Sequence, residues 1–268
     1  MNPDLLDTSV PHSARRYNYW LGGKDNFAAD RESGDQIAAV FPTIRTMARE
    51  NRGFLRRATR YLTAEAGVRQ YLDSGTGLPT ADHTHEVAQA IAPESRIVYV
   101  DNDPLVMVHA RALLTSTPEG ATTYLEADLL DPERILDHPD VRATLDFDAP
   151  VGLMLVAVLH FLADDTEARG VVTRLLDALP SGSYLVASNA TMDFPSATAD
   201  GGGYTAMLTS GKADVWPRDR ERFGAFFDGL ELVEPGITCV SDWRAEDEEQ
   251  PRPDPADVGV YGAVGRTP

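Results

Sequence analysis

Cysteine is almost missing from this chain: one residue in 268, Cys239. A single thiol excludes an internal disulfide and any cysteine-cluster metal site. A lone cysteine near a strand reads as a small hydrophobe. Long apolar runs are missing as well. None reaches the roughly 18 residues that a membrane-spanning helix needs, so no membrane partner is expected. The opening "MNPDLLDTSVPHSARRYNYW" has no basic stretch followed by an apolar one, so no secretory signal is expected and a cytoplasmic protein is. Positive charge is also scarce, with 24 Lys+Arg against 42 Asp+Glu and a net charge of −18. Such a field repels phosphate backbones, which argues against nucleic acid as a partner. The positive charge that exists gathers at the front: residues 1–70 hold 11 Lys+Arg and 8 Asp+Glu. A basic head on an acidic body is read first as two complementary surfaces that pack together.

What is present is enough apolar material, 43% of residues, for one sizeable core. After a loose terminus at 1–12, residues 13–62 carry a mostly helical pattern. In "TIRTMARENRGFLRRATRYL", Ile44, Met47, Phe54, Ala58 and Tyr61 fall on one side at helical spacing. Arg45, Arg49, Arg52, Arg56 and Arg60 form a stripe on another, either a solvated face or a surface for something anionic. From Gln70 onward, strands and helices alternate. "QYLDS", "RIVYVDND", "TTYLEADLL", "PVGLMLVAVLHFL" and "SYLVASNA" read as strands, the fourth as a long central strand buried on both faces. Helices such as "DHTHEVAQAIA", "PLVMVHARALL" and "DTEARGVVTRLLDAL" separate them. This alternation predicts a doubly wound, mostly parallel α/β sheet. Near the end, "LELVEPGITCVSDW" and "DVGVYGAVGR" have only an acidic, proline-rich loop between them and predict an antiparallel terminal pair.

In an open α/β sheet, ligands bind beyond the carboxyl ends of the strands. The first strand ends in Asp73, followed by Gly75, Thr76 and Gly77. The second ends in Asp101, Asn102 and Asp103, the third in Asp128, and the fourth near Ala157, Val158 and His160. A carboxylate at Asp101 suits the two hydroxyls of a ribose. The loop after the first strand is less suited to a dinucleotide, because Leu78, Pro79 and Thr80 stand where a third glycine belongs. Proline removes a backbone N–H that a pyrophosphate would use, and Asp73 adds negative charge. A nucleoside with a cationic, amino-acid-like tail fits better, and S-adenosylmethionine has that character.

"YLDSGTG", "VYVDND", "EADLLD", "LMLVAVLHFLADD" and "LLDALPSGSYLVAS" together resemble the successive motifs of class I S-adenosylmethionine-dependent methyltransferases, over about residues 70–190. More narrowly, "PHSARRYNYWLGGKDNFAADRE", "DSGTGLPTADHTHEVAQAIAPESRIVYVDNDPLVMVHARALL" and "FFDGLELVEPG" resemble an S-adenosyl methyltransferase family long catalogued as a domain of unknown function. The resemblance implies a Rossmann-like, seven-stranded sheet with an antiparallel terminal strand. It divides the chain into an N-terminal helical cap or lid, 1–69, and a methyltransferase domain, 70–268. It implies that Asp73, Gly75, Thr76 and Gly77 hold the methionine end of S-adenosylmethionine. Asp101 would bind the ribose, with Asn102, Asp128 and Leu129 at the adenine, and Ala157 and Val158 near the methyl group. The product would be S-adenosylhomocysteine, and the acidic body, rather than the resemblance, points to a small-molecule acceptor.

"SARRYNYWLGGKDNF" is dense in side chains that bind ligands. One reading is a helix docked by its aromatics and stopped by glycines. The other is a lid in which Arg15 pairs with the cofactor carboxylate, Tyr17, Gly22 and Gly23 assist, and Tyr19, Trp20, Lys24 and Asp25 meet the acceptor. His160 is the candidate general base and Tyr19 a second catalytic candidate. His83 and His85 are expected on the surface, and no metal is expected. Three other readings stay open: a non-catalytic S-adenosylmethionine-binding protein, a nicotinamide-dependent oxidoreductase, and an interaction module using the arginine stripe.

Overall fold

The computed structural model describes residues 7–79, 82–113, 115–194, 206–207 and 214–268. Residues 1–6 of the expected loose terminus and Thr80 lie outside these. Five strands run parallel: β1 (Gln70–Ser74), β2 (Arg96–Asp101), β3 (Ala121–Glu126), β4 (Gly152–Leu155) and β5 (Tyr184–Ala190). Their order is β3-β2-β1-β4-β5, so the chain reverses direction of travel between β1 and β4. The strands are apolar at successive positions because both faces are buried. Leu72, Val98, Val100, Leu153 and Leu185 serve one face, and Tyr71, Ile97, Tyr99, Met154 and Val186 serve the other.

On the first face lies a helix of residues Asp165–Leu176, through Ala168, Val171, Val172 and Leu175. On the second lies the 21-residue helix α3 (Ile44–Ala64), through Phe54, Leu55, Ala58 and Leu62. The helical pattern expected at the front of the chain is therefore present, and its longest helix covers the sheet. α3 follows two shorter helices, α1 (Ser13–Trp20) and α2 (Ala28–Val40). The helix α4 (Thr84–Ile91) follows β1, and α5 (Pro104–Leu113) follows β2.

The last strand, β8 (Val260–Arg266), is antiparallel to β5. Its other neighbours are β6 (Glu231–Leu232) and β7 (Thr238–Cys239), both antiparallel to it. The sheet has eight strands rather than seven because the stretch read as one strand is broken between Leu232 and Thr238. Pro235 there has no N–H for a ladder, and Gly236 has φ +79°. A second difference concerns "PVGLMLVAVLHFL". β4 stops after four residues, Ala157 takes a left-handed φ of 57°, and a 3₁₀ turn spans Leu159–Phe161. Leu159 and Leu162 still enter the core, so the run stays apolar although the strand has ended.

The basic head does sit on the acidic body. Arg56 of the head pairs with Glu248 at 2.5 Å, while a pair of the opposite sense joins Arg252 to Glu50 of the head. Arg57 donates to the carbonyls of Trp243 (2.8 Å) and Val240 (2.5 Å). α3 lies so close to β8 that a Cβ on Gly262 would stand 3.0 Å from the Phe54 ring. No helix among the described residues is long and apolar enough to cross a membrane.

Candidate functional site

The loop after β1 is built around two glycines in the left-handed region, Gly75 (φ +77°) and Gly77 (φ +69°). Gly75 also lacks space for a side chain, since a Cβ would meet Val158 Cγ2 at 2.5 Å. Gly77 donates its N–H to Asp101 Oδ2 at 2.8 Å, and Asp101 Oδ1 accepts the N–H of Asp103 at 2.9 Å. The acid at the end of β2 thus clasps the loop. Leu78, in the place of a third glycine, is buried against Val106 and Met107 of α5. An apolar anchor seats the loop where a dinucleotide site would keep backbone N–H groups open to phosphate.

Two carboxylates are buried here. Asp73 accepts from Thr84 Oγ1 at 2.6 Å, yet burial raises its pKa to about 6, against the pull of that hydrogen bond and of the Arg52 charge. Burial also raises the pKa of Asp101, against its two backbone hydrogen bonds. Beside them, the hydroxyls of Ser74 and Thr76 are buried with no protein partner. A buried polar atom without a partner is costly, so two in one place mark where a polar ligand belongs.

These groups line one cavity of about 280 Å³ at the carboxyl ends of β1–β4. Asp73 to Leu78, Asp101, Asn102, Ala127 to Leu130 and Val156 to Val158 form its floor and walls. Tyr17 and Asn18 of α1 and Asn51, Arg52 and Leu55 of α3 form its roof. Asn102 and Asp128 are exposed at the mouth, and Leu129 is buried. Asp128 Oδ1 accepts the N–H of Leu130 at 2.9 Å.

A smaller chamber of about 60 Å³ adjoins the first, and Tyr17, Asn51, Ala157 and Phe161 line both. A hydrogen-bond chain runs through this neck. Ala157 N–H donates to Ser188 Oγ (2.9 Å), and Ser188 donates to Asn51 Oδ1 (2.7 Å). Asn51 Nδ2 donates to Tyr17 Oη (3.1 Å), which donates to the Ala48 carbonyl (2.9 Å). The strained turn after β4 is thereby tied to both roofing helices.

Other residues singled out in the sequence lie elsewhere. Arg15 is engaged by Asp103, which accepts from Nε (2.9 Å) and Nη2 (3.0 Å), so its charge docks α1. Tyr19 lines neither cavity; it donates to Asp35 (2.8 Å), and the Arg45 guanidinium lies 4.9 Å from its ring centroid. Gly22, Gly23 and Asp25 border a separate open cleft with Arg49 and Arg52, and Lys24 is exposed. Trp20 lines the smaller chamber and donates to the Gly34 carbonyl at 3.2 Å.

His160 also lines the smaller chamber, 8% exposed. Its Nδ1 accepts the Ala190 N–H at 3.3 Å, and burial lowers its pKa to about 4. The neutral ring therefore carries its proton on Nε2, an arrangement for donating a hydrogen bond rather than for accepting a proton. His83 and His85, expected on the surface, are 1% and 3% exposed. Tyr99 of β2 reaches under the start of α4, where its Oη takes the His85 N–H at 2.7 Å and lies 2.8 Å from His85 Nδ1. Burial lowers the pKa of His83 to about 3.

Ser74, Asn51, Arg52 and Ser188 belong to the site although sequence patterns did not single them out for it. Asn51 left a trace: it is an amide on the apolar side of α3, between Ala48 and Phe54. Among the described residues no group of three or more His, Cys, Asp or Glu is placed to hold a metal ion.

The sequence profile described as "S-adenosyl methyltransferase" matches residues 1–268. A DUF574-family protein from Streptomyces avermitilis is 46% identical, with 98% of this chain and 99% of that one covered and a TM-score of 0.90. A Thermobifida fusca protein provisionally named a methyltransferase is 41% identical, with 99% and 97% covered and a TM-score of 0.87. Among curated proteins, none matches significantly.

Proposed function

The chain belongs to the S-adenosyl methyltransferase family, and from that premise we propose that the larger cavity holds S-adenosylmethionine and that the methyl acceptor is a small molecule. The observation that carries this reading is the donor set of that cavity: two buried carboxylates, Asp73 and Asp101, beside the unpartnered hydroxyls of Ser74 and Thr76. Carboxylates suit an ammonium group and a ribose diol, and they are a poor wall for a pyrophosphate.

In this reading Asp73 accepts from the amino group of the methionine end, while Ser74 and Thr76 supply hydroxyls. Gly75 and Gly77 let the backbone come close. Arg52, on the Asp73 side of the cavity, takes the carboxylate in place of Arg15. Asp101 keeps a lone pair on each oxygen, beyond its two backbone bonds, for the ribose hydroxyls. Asn102, Asp128 and Leu129 flank the adenine. Ala157 and Val158 form the floor at the reacting end, and Tyr17 closes it from above. Residues 1–69 act as the cap and residues 70–268 as the catalytic fold.

When bound, S-adenosylmethionine would supply a methyl group on a sulfonium to the acceptor lone pair, with the C–S electron pair left on sulfur and any acceptor proton passed to bulk solvent outside the closed site. The chain's part is positioning and exclusion of water. Ser188 fixes the Ala157 amide, Asn51 fixes Ser188 and Tyr17, and α1 shuts the roof. Calorimetric titration with S-adenosylmethionine, S-adenosylhomocysteine and NAD tests the reading. Binding of the first two without NAD is expected, and Asp101→Ala should weaken it about 10- to 100-fold, the worth of a charge-assisted hydrogen bond or two. NAD binding in place of the other two would overturn it.

A further inference from the structure

The smaller chamber has no role in holding the nucleoside, and its position is informative. It adjoins the larger cavity at the neck formed by Tyr17, Asn51 and Ala157, where the reacting end of the cofactor lies in the reading above. Its walls beyond the neck are mostly apolar: Trp20, Ile37, Phe41, Ile44 and Met47 from the N-terminal helices, and Val260 from β8.

Among the described residues, two charged or titratable side chains line the chamber beyond Tyr17 at the neck, Arg16 and His160, and both are engaged. Arg16 Nη2 bonds both carboxylate oxygens of Asp214, at 2.5 and 2.6 Å. His160 is held as a neutral ring by its Ala190 contact and its burial. A charged group entering here would lose its water, and the one charged side chain among the described lining residues, Arg16, is already paired with Asp214, so such burial is costly. An apolar group would displace water from apolar walls, which is favourable. About 60 Å³ holds roughly four to six waters at about 10–15 Å³ each, so beyond the neck it admits only the leading edge of an apolar group.

We infer that the smaller chamber is the acceptor site, and that it receives the apolar end of an uncharged acceptor whose oxygen or nitrogen nucleophile stands at the Tyr17–Ala157 neck. The inference rests on the larger cavity holding S-adenosylmethionine. His160, with Nε2–H as donor, and Asn51 are positioning residues for the polar end. The acceptor enters neutral, so the reaction needs no buried counter-ion for it.

The test uses the full chain saturated with S-adenosylhomocysteine and three single-ring probes that differ in charge: phenol, benzoate and benzylammonium. Methionine methyl groups are ¹³C-labelled and the Met47 signal is followed during each titration. Phenol should shift Met47 and saturate, with affinity about tenfold or more above that of either charged probe. Met47→Trp, which fills the chamber, should weaken phenol about tenfold and leave S-adenosylhomocysteine affinity within about twofold, overpacking being local if the fold is kept. The wild-type Met47 titration stands even where that variant does not fold.

Failure has two distinguishable forms. If S-adenosylhomocysteine binds and phenol does not shift Met47, or a charged probe binds as well as phenol, the acceptor inference alone is overturned. If S-adenosylhomocysteine itself does not bind, the cofactor reading falls and takes the inference with it.

Discussion

Asp73 serves two opposed demands. Its folded pKa of about 6 lies above the ordinary 3.8 because burial penalises the charge. A raised carboxyl favours the folded state while protonated, so its contribution is complete below pH 3.8 and is lost as pH rises through about 6. At pH 8 the ligand-free protein therefore carries a buried charge at its own expense. Asp73→Asn should raise ligand-free stability at pH 8 by about 1–3 kcal/mol and weaken S-adenosylmethionine binding about tenfold or more. Thermal unfolding and calorimetry measure the two effects. In the wild type, the same affinity should fall as pH drops through about 6, and an unchanged affinity at pH 5 would place the ammonium elsewhere. Gly75→Ala forces a side chain into a left-handed backbone and against Val158; a loss of about 1–3 kcal/mol together with lost ligand binding is expected in the same two assays. Asp73, Gly75 and Asp101 were legible in the sequence because strand ends fix where such residues go. Arg15 was not, because Asp103, its partner, lies far along the chain, and only the folded arrangement decides between a ligand and a neighbouring carboxylate. His83 and His85 were misjudged for a similar reason: Tyr99, on another element, turns the start of α4 inward.

At the scale of elements, α1 is held by buried polar contacts more than by apolar area. Arg15 and Asp103 are nearly and fully buried, and Asp30 accepts the N–H groups of His12 (2.9 Å) and Phe27 (2.8 Å). Removing one partner of a buried pair strands the other, at a cost of about 3–5 kcal/mol. Arg15→Ala should therefore lower the melting temperature, speed amide exchange across residues 13–20 and weaken cofactor binding through loss of the Tyr17 roof. Unchanged exchange in α1 would show that the helix is seated by something else. The apolar stripe of α3 was legible, since Ile44, Phe54 and Ala58 are buried as their spacing predicts. The surface it covers was not, because amphipathicity gives a buried side without naming the partner. The end of β4 was hidden too: apart from His160, Val156 to Leu162 remain apolar through a turn, so hydropathy does not mark where the strand stops.

At the scale of the whole molecule, alternating strands and helices made the parallel sheet and its ligand end readable in advance, whereas the eighth strand depended on one Pro-Gly interruption. The cavity is enclosed by α1 and α3 together with the loops that follow β1–β4, so occupancy should stabilise the N-terminal helices and the sheet together. With S-adenosylhomocysteine at about 100 times its Kd, unfolding should become harder by about 2.7 kcal/mol, or roughly 5–10 °C in melting temperature. A shift confined to one of two separate transitions would show the cap melting by itself. The contact between Phe54 and Gly262 bears on how the protein is made. The two residues are about 200 positions apart, and at roughly 5–20 residues per second some 10–40 s of synthesis separate them. Throughout that interval the apolar side of residues 44–64 has no β8 to rest on. The newborn chain must therefore be shielded from aggregation until its last strand emerges, and its earliest long helix is among the last to find its place.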